Sequence, residues 1–455
     1  MKALFAVLAL LAPALAQNAA QIKQELKTKE SAAKQDADAL FEVGRWAAEK
    51  GLAAEAKRIY QAVLKIRSDH EGANQAIGNA LFEGKWLPAK EAENLRRKAE
   101  AAQYAAKGFV EVQGVWVEKE RVDDAKRGIF HHENELVTKD EKVLLMRGYV
   151  RHPDTGELID PKFQDKAAQH LHPIGNDGRW VDVKEADKFH NDGQRPWFVR
   201  SAYCTLGSNL PLEQIDALRQ EADKAVERAR EAFGELMPKP IHRPVILIAD
   251  TTQRYQELGA IFSDGTDAAG AFLARDREDA QIRVPMLGNV RPAVTLSEGQ
   301  HTPYYVRHAA AMAWLSGVSE ISGAELPLWL VEAAGSLARY FVNDSDAGWY
   351  GKQQMQRGGV KNLKAFFAGF HIDGTMEQAE MLGSLYMAGL VVSYASSKQA
   401  DPTAAAAWKA VKDALATPGA ASKVGPAVEK FAAAMVPLEA KLTTYLQELI
   451  KLAPQ

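Results

Sequence analysis

Tyr304-Tyr305-Val306-Arg307-His308-Ala309-Ala310-Ala311-Met312-Ala313-Trp314-Leu315, "YYVRHAAAMAWL", is the stretch whose reading decides the fold. After Arg307 it is apolar at every position but one, which predicts a helix buried on most of its surface. The exception is His308. A second apolar stretch, "LPLWLVEAAGSLARYF" at 326–341, carries Glu332 among Trp329, Leu330, Val331 and Ala333. A lone histidine on an apolar helix is ordinarily a hydrogen-bonded core residue. A histidine followed by a carboxylate on the next helix raises the question of a metal.

A zinc-peptidase helix needs two histidines four residues apart, so that one helical turn brings both imidazoles to one face. The residue after the first histidine is a glutamate that takes a proton from zinc-bound water. A third ligand comes from a later element, and in one arrangement it is a glutamate on a second helix. Here His308 holds the first-histidine position and Glu332 the third-ligand position. Ala309 stands at the general-base position and Met312 at the second-histidine position. His301 lies two turns before His308, about 10.5 Å along a helix axis, and Pro303 places it before the helix. His371 could reach the site only by tertiary contact.

Around these residues the order of elements carries more signal. A strand at 197–203, a long helix at 211–236, the strand "RPVILIAD" at 243–250 and a helix capped by Thr251 or Thr252 come first. "GAFLARD" and "AQIRVP" read as further strands. Helices follow at 304–317, 326–341, 376–397 and over much of 403–452. This order, with "AWL", "LPLWLVEA" and the Tyr386 helix, resembles the peptidase-MA-like (gluzincin-like) domains of secreted bacterial proteins. The resemblance implies an α+β fold in which His308 and Glu332 are vestigial metal-site positions. Ala309 and Met312 are lost ones, and Ala333 departs from the usual glycine. Two ligands without a base make no catalytic residue and call for no cofactor. Zinc would enter only if the site worked with unorthodox ligands.

Lys2, the apolar run 3–11 and Ala14-Leu15-Ala16 before Gln17 have the three-part order of a secretory signal peptide. The mature chain is expected to begin at Gln17. Cys204 is the only cysteine, so no internal disulfide forms and a buried thiol is expected. Lysine and arginine number 56 against 59 acidic residues, a net charge of −3 with no basic block, which excludes a nucleic-acid surface. No run after the leader is long enough to cross a membrane.

Residues 17–77 are helical, and Leu40, Val43, Gly44, Gly51, Ala56, Tyr60 and Val63 resemble the packing positions of one tetratricopeptide repeat. From 78 to 194 a smaller unit recurs, centred on "EGKWL" (Glu83), "QGVWV" (Gln113), "ENELV" (Glu133), "TGELI" (Thr155) and "DGRWV" (Asp177). Each reads as a β-hairpin followed by a short helix. Asn176-Asp177-Gly178 is a hairpin-turn signal. Thr138 with Glu141 and Asp182 with Glu185 are capping boxes, and Asp160-Pro161 is a helix start. Trp86, Trp116 and Trp180 are expected to clamp each hairpin to its following helix.

The expected organisation is a signal peptide at 1–16, a helical segment at 17–77, hairpin modules at 78–194 and the degenerate peptidase-MA-like domain at 195–455. The expected function is non-catalytic binding or scaffolding for a protein or peptide partner, outside the cell or in the periplasm. A working zinc metallopeptidase and a purely structural envelope protein are the alternatives. Glu332 is expected buried and charge-paired, with His308 its natural partner and Arg307 or Arg339 as substitutes. A nucleophile elbow is incomplete at Gly383-Ser384, and "SDGTDAAG" at 263–270 reads as a turn.

Overall fold

The structure is a computed structural model that describes residues 21–126, 128–133, 135–175, 178–192, 195–234, 243–262, 271–273, 282–284, 288–290, 292–322, 324–360, 362–372, 376–417 and 419–453. The stretch read as a signal peptide, the turn residues Asn176 and Asp177, and the 263–270 stretch lie outside them. The chain is mixed α+β and divides into two compact units, 1–110 and 111–455.

In the first unit, helices Ala37–Glu49 and Ala53–Ile66 pair along Leu40, Val43, Ala47, Ile59, Tyr60 and Val63. Asp36 caps the first of them, accepting from the amides of Asp38 and Ala39. The two axes come close because Gly44 has no side chain. A Cβ there would lie 2.5 Å from the Tyr60 ring, well inside van der Waals contact. A third short helix, Glu71–Ala76, precedes the hairpin Asn79–Phe82/Lys85–Pro88 and the helix Ala89–Ala106.

Five hairpins occupy the five recurrent units of the sequence. After the first come Phe109–Val112 with Val115–Glu118, Phe130–His132 with Glu135–Val137, Val150–Arg151 with Leu158–Ile159, and His172–Ile174 with Arg179–Val181. Glu83, Gln113 and Glu133 take positive φ of 47°, 52° and 51° at the tips, the left-handed geometry that matches strand twist in a tight hairpin. Thr138 and Glu141 form a reciprocal capping box, while at Asp182 only the side-chain half is made. Trp180 packs on Phe163 of the preceding module, with ring centroids 5.5 Å apart. It therefore links successive modules.

The second unit is built on a five-stranded sheet in the order Trp197–Arg200, Thr205–Ser208, Val245–Ala249, Ala293–Leu296, Ala271–Leu273. The three central strands are parallel and the two edges antiparallel. All three central strands are buried at every residue, so both faces are covered. Alternation divides Val245–Ala249 between two cores. Val245, Leu247 and Ala249 pack with Tyr255 and Leu258 of helix Thr252–Phe262. Ile246 and Ile248 join the large core formed by the helices Leu212–Phe233, Thr302–Ser322, Leu328–Tyr340 and Gln378–Ser396.

A boundary at 194 would separate the hairpins from the sheet, but the compact units part at 110. The physical reason is shared burial: Ile174, Val181 and Ala186 of the last module lie in one core with Trp197, Val199 and Leu206. An ionic network adds to this. Arg200 bridges Glu135 and Glu141, Arg243 reaches Glu135, and Arg151 lies 3.1 Å from Glu135 and 3.3 Å from Glu141. Among the described residues no helix is long and apolar enough to cross a membrane.

Candidate functional site

The helix Thr302–Ser322 begins just after Gly299–His301. His301 is therefore outside it, exposed, as Pro303 implied. Val306 and every residue from His308 to Leu315 are buried. The helix packs against Leu212–Phe233 on one side and Leu328–Tyr340 on another, with the sheet beneath. Burial of Glu332 follows in the same way, because Trp329 to Phe341 form an unbroken buried run.

His308 and Glu332 meet across the two helices, Nε2 to Oε2, at 2.8 Å. Both are buried. Burial pushes the Glu332 carboxyl up to about 8, against the opposing pull of the Arg339 charge. Burial also holds the His308 imidazole well below its usual value, and Arg339 adds to that. At neutral pH the pair therefore shares one proton, carried by the carboxyl and donated to a neutral imidazole. The expected partnership of His308 with Glu332 is present, and burial shifts both groups toward their uncharged forms. The substitutes are otherwise engaged or peripheral. Arg307 binds Glu221, its Nε 2.6 Å from the carboxylate, and Arg339 lies over the rings of Tyr305 and Tyr340.

Gly335, one turn beyond Glu332, explains how the helices come so close. A Cβ at Gly335 would lie 2.7 Å from His308 Nε2 and 2.8 Å from Met312 Cγ. His308 and Met312 thus share the face turned to the Glu332 helix, as the one-turn spacing requires. Ala309 and Met312 are wholly buried. Two zinc ligands at 2.0–2.1 Å would stand about 3.3 Å apart, whereas His308 and Glu332 touch at hydrogen-bond distance. With Gly335 against the same nitrogen, the residues present do not fit a zinc ion. His371 is exposed and its Nδ1 lies 2.8 Å from the Gly369 carbonyl, so it supplies no further ligand. Among the described residues His308 Nδ1 has no hydrogen-bond partner.

Elsewhere, a pocket of about 540 Å³ opens between the third and fourth hairpins and the sheet. His132, Glu135, Leu145, Arg151 and Arg243 line it, and none of its lining belongs to the His308 or Glu332 helix. Arg243 is pushed down to about 10, first by burial and then by the Arg200 charge. Cys204 is buried, its Sγ 3.1 Å from the Ser201 hydroxyl, and burial pushes its thiol up to about 12. It is an unreactive core thiol.

No family model, curated protein or solved structure matches the chain.

Proposed function

We propose that this is an exported, non-catalytic scaffolding protein of the cell envelope or extracellular space. In this reading a peptidase-MA-like domain has been converted into a packed core, and its partner is a protein or peptide. The observation that supports it most is the closed His308–Glu332 pair. A peptidase site must admit a metal, a water and a peptide carbonyl, and must hold a base beside the water. Here the ligand positions are bonded to each other, the base position is Ala309, and the packing at Gly335 leaves no room even for a methyl group. A large apolar cleft beside His308 would have favoured ligand binding there. The packed interior favours a structural role for these two helices.

The decisive measurement is hydrolysis of a mixed peptide library by the full chain, with and without added zinc. No turnover is expected in either condition. Zinc-dependent cleavage that disappears in Glu332→Gln would overturn the reading. The export component is tested separately, by the amino-terminal mass of protein recovered outside the cytoplasm, expected to start at Gln17.

A further inference from the structure

The fourth and fifth hairpins bring a second histidine–carboxylate group together, far from either helix of the candidate site in sequence. His152 and Asp154 lie in the loop joining Val150–Arg151 to Leu158–Ile159, and His172 opens the strand His172–Ile174. Both imidazoles are only 1% exposed, while the Asp154 side chain is 26% exposed. One ligand atom from each of the three lies within 4.8 Å of the others. Asp154 Oδ2 is 3.4 Å from His172 Nε2 and 3.8 Å from His152 Nδ1. Tetrahedral zinc with bonds of 2.0–2.1 Å sets its ligands about 3.3 Å apart. The two carboxylate–imidazole separations would close by about 0.1 and 0.5 Å, and the two rings, now stacked with centroids 4.6 Å apart, would turn toward the ion.

Three details point to a cation. First, neither ring nitrogen of His172 has a hydrogen-bond partner, although the ring is buried. The 3.4 Å approach of Asp154 lies outside hydrogen-bond geometry. A buried polar ring left in this state is destabilising, and coordination of Nε2 would relieve it. Second, the protons of His152 are placed for a ligand. Nε2 lies 2.9 Å from the Leu171 carbonyl, to which it donates, and Nδ1 accepts the Asp154 amide at 3.2 Å. A metal-ligating histidine characteristically donates its other N–H to a backbone carbonyl in this way, and the weak amide contact is the one a metal would replace. Third, His170 takes Asp154 Oδ1 at 2.8 Å, leaving Oδ2 turned toward the two rings. His170 holds that position with a φ of 58°, a left-handed geometry uncommon for histidine.

We propose that His152 Nδ1, Asp154 Oδ2 and His172 Nε2 bind one zinc-type divalent cation, with water completing the shell at the Asp154 side. His170 acts as an outer partner that orients the aspartate. Two imidazoles and one carboxylate suit zinc better than the oxygen-seeking magnesium or calcium. Because its ligands come from two consecutive hairpins, the ion would fasten one module to the next. The Trp197 ring stands edge-on to His172, centroids 5.1 Å apart, so its fluorescence should report the event.

The test is calorimetric titration of the chelator-treated, tag-free full chain with zinc chloride, followed by Trp fluorescence. One equivalent is expected to bind. His172→Ala and Asp154→Asn should each weaken it at least about a hundredfold, and His170→Ala about tenfold, the range set by ligand and outer-partner losses. Circular dichroism checks folding. Asp154→Asn, near-isosteric and partly exposed, keeps the test decisive should His172→Ala misfold. Glu332→Gln should bind zinc as the parent does. Absence of stoichiometric binding in the parent would overturn the proposal, as would folded Asp154→Asn binding zinc with parental affinity. Loss of the site in Glu332→Gln would place the ion at the two helices instead.

Discussion

His308 with Glu332, and His172 with His152 and Asp154, are both buried histidine–carboxylate groups, and they differ in what they leave open. Across the two helices the facing atoms are bonded to each other, carboxyl to imidazole Nε2 at 2.8 Å, with Gly335 against the same nitrogen, and only His308 Nδ1, on the far side of the ring, is left without a partner among the described residues. Between the two hairpins the rings face the carboxylate at 3.4 and 3.8 Å, too far to bond directly and close to the spacing a metal imposes. The helices carry the sequence signature of a metal site and a geometry that refuses the ion. The hairpins carry no such signature and a geometry that suits it. The difference teaches that ligand types at a known spacing are weaker evidence than an unmet bonding need at the right distance.

The comparison is sharpened most by the ion itself. At zinc a hundredfold above its dissociation constant, opening of the fourth and fifth hairpins should become about 2.7 kcal/mol harder. Amide exchange at 150–151, 158–159, 172 and 174 should slow by about a hundredfold in the parent and stay unchanged in His172→Ala. Equal slowing in both would break the contrast.

Next in size is Gly335→Ala. Overpacking costs about 1–3 kcal/mol, and the helix-propensity gain of alanine over glycine returns at most about 1. With two contacts below 3 Å, one to an imidazole pinned by Glu332, a net loss of about 2 kcal/mol is expected in urea unfolding. A neutral or stabilising result would mean the helices can move apart, and the closed description would fail.

Similar in size is a pH effect whose sign follows from proton counts. The folded pair holds one proton, on Glu332, until pH about 8. Unfolded, glutamate ionises near 4.3 and histidine near 6.5, so from about 4.3 to 6.5 the unfolded chain also holds one and this pair contributes no slope. From about 6.5 to 8 the folded state binds one proton more, so stability falls as pH rises, by about 2 kcal/mol in all. Glu332→Gln keeps a hydrogen bond to His308 and should abolish this component. A parent and variant with parallel stability-versus-pH curves would show that Glu332 is ionised in the folded state.

The smallest effect asked for is a conversion. Met312 faces the Glu332 helix beside His308, so Met312→His in a His172→Ala background should raise zinc affinity by roughly tenfold, about 1.4 kcal/mol. The gain is small because His308 must first give up Glu332. Calorimetry showing no gain in a folded variant would mean that the packing cannot open to admit an ion.

Much of the architecture was legible because its signals are local. "RPVILIAD" is apolar at consecutive positions and forms the fully buried strand Val245–Ala249. The long apolar stretches around Glu332 and Tyr386 are helices within a turn of their expected ends, and the one around His308 runs five residues past its expected end at 317, to Ser322. Helix Asp344–Gln356 was not legible: "DSDAGWYGKQQMQ" is polar, carries two glycines and has little helical preference of its own. It is held by docking against Glu439–Lys451, a partner far along the chain. Of the candidate site, the meeting of His308 with Glu332 could be anticipated from one-turn spacing and burial. Its protonation could not, because that depends on how completely water is excluded. The second group was hidden for a different reason: its ligands come from separate hairpins, and no periodicity connects residues 152 and 172.

The sequence by itself determined what depends on near neighbours: the turns, the caps, the apolar faces, the burial of both helices, and the identity of each side chain that could bind. Tertiary structure alone decided which of those side chains face one another, and at what separation. Between 2.8 Å and 3.4 Å the same pair of groups passes from a closed hydrogen bond to the spacing of two metal ligands. That margin of 0.6 Å is set by the close approach of two helices at Gly335 and by the meeting of two hairpins at His172.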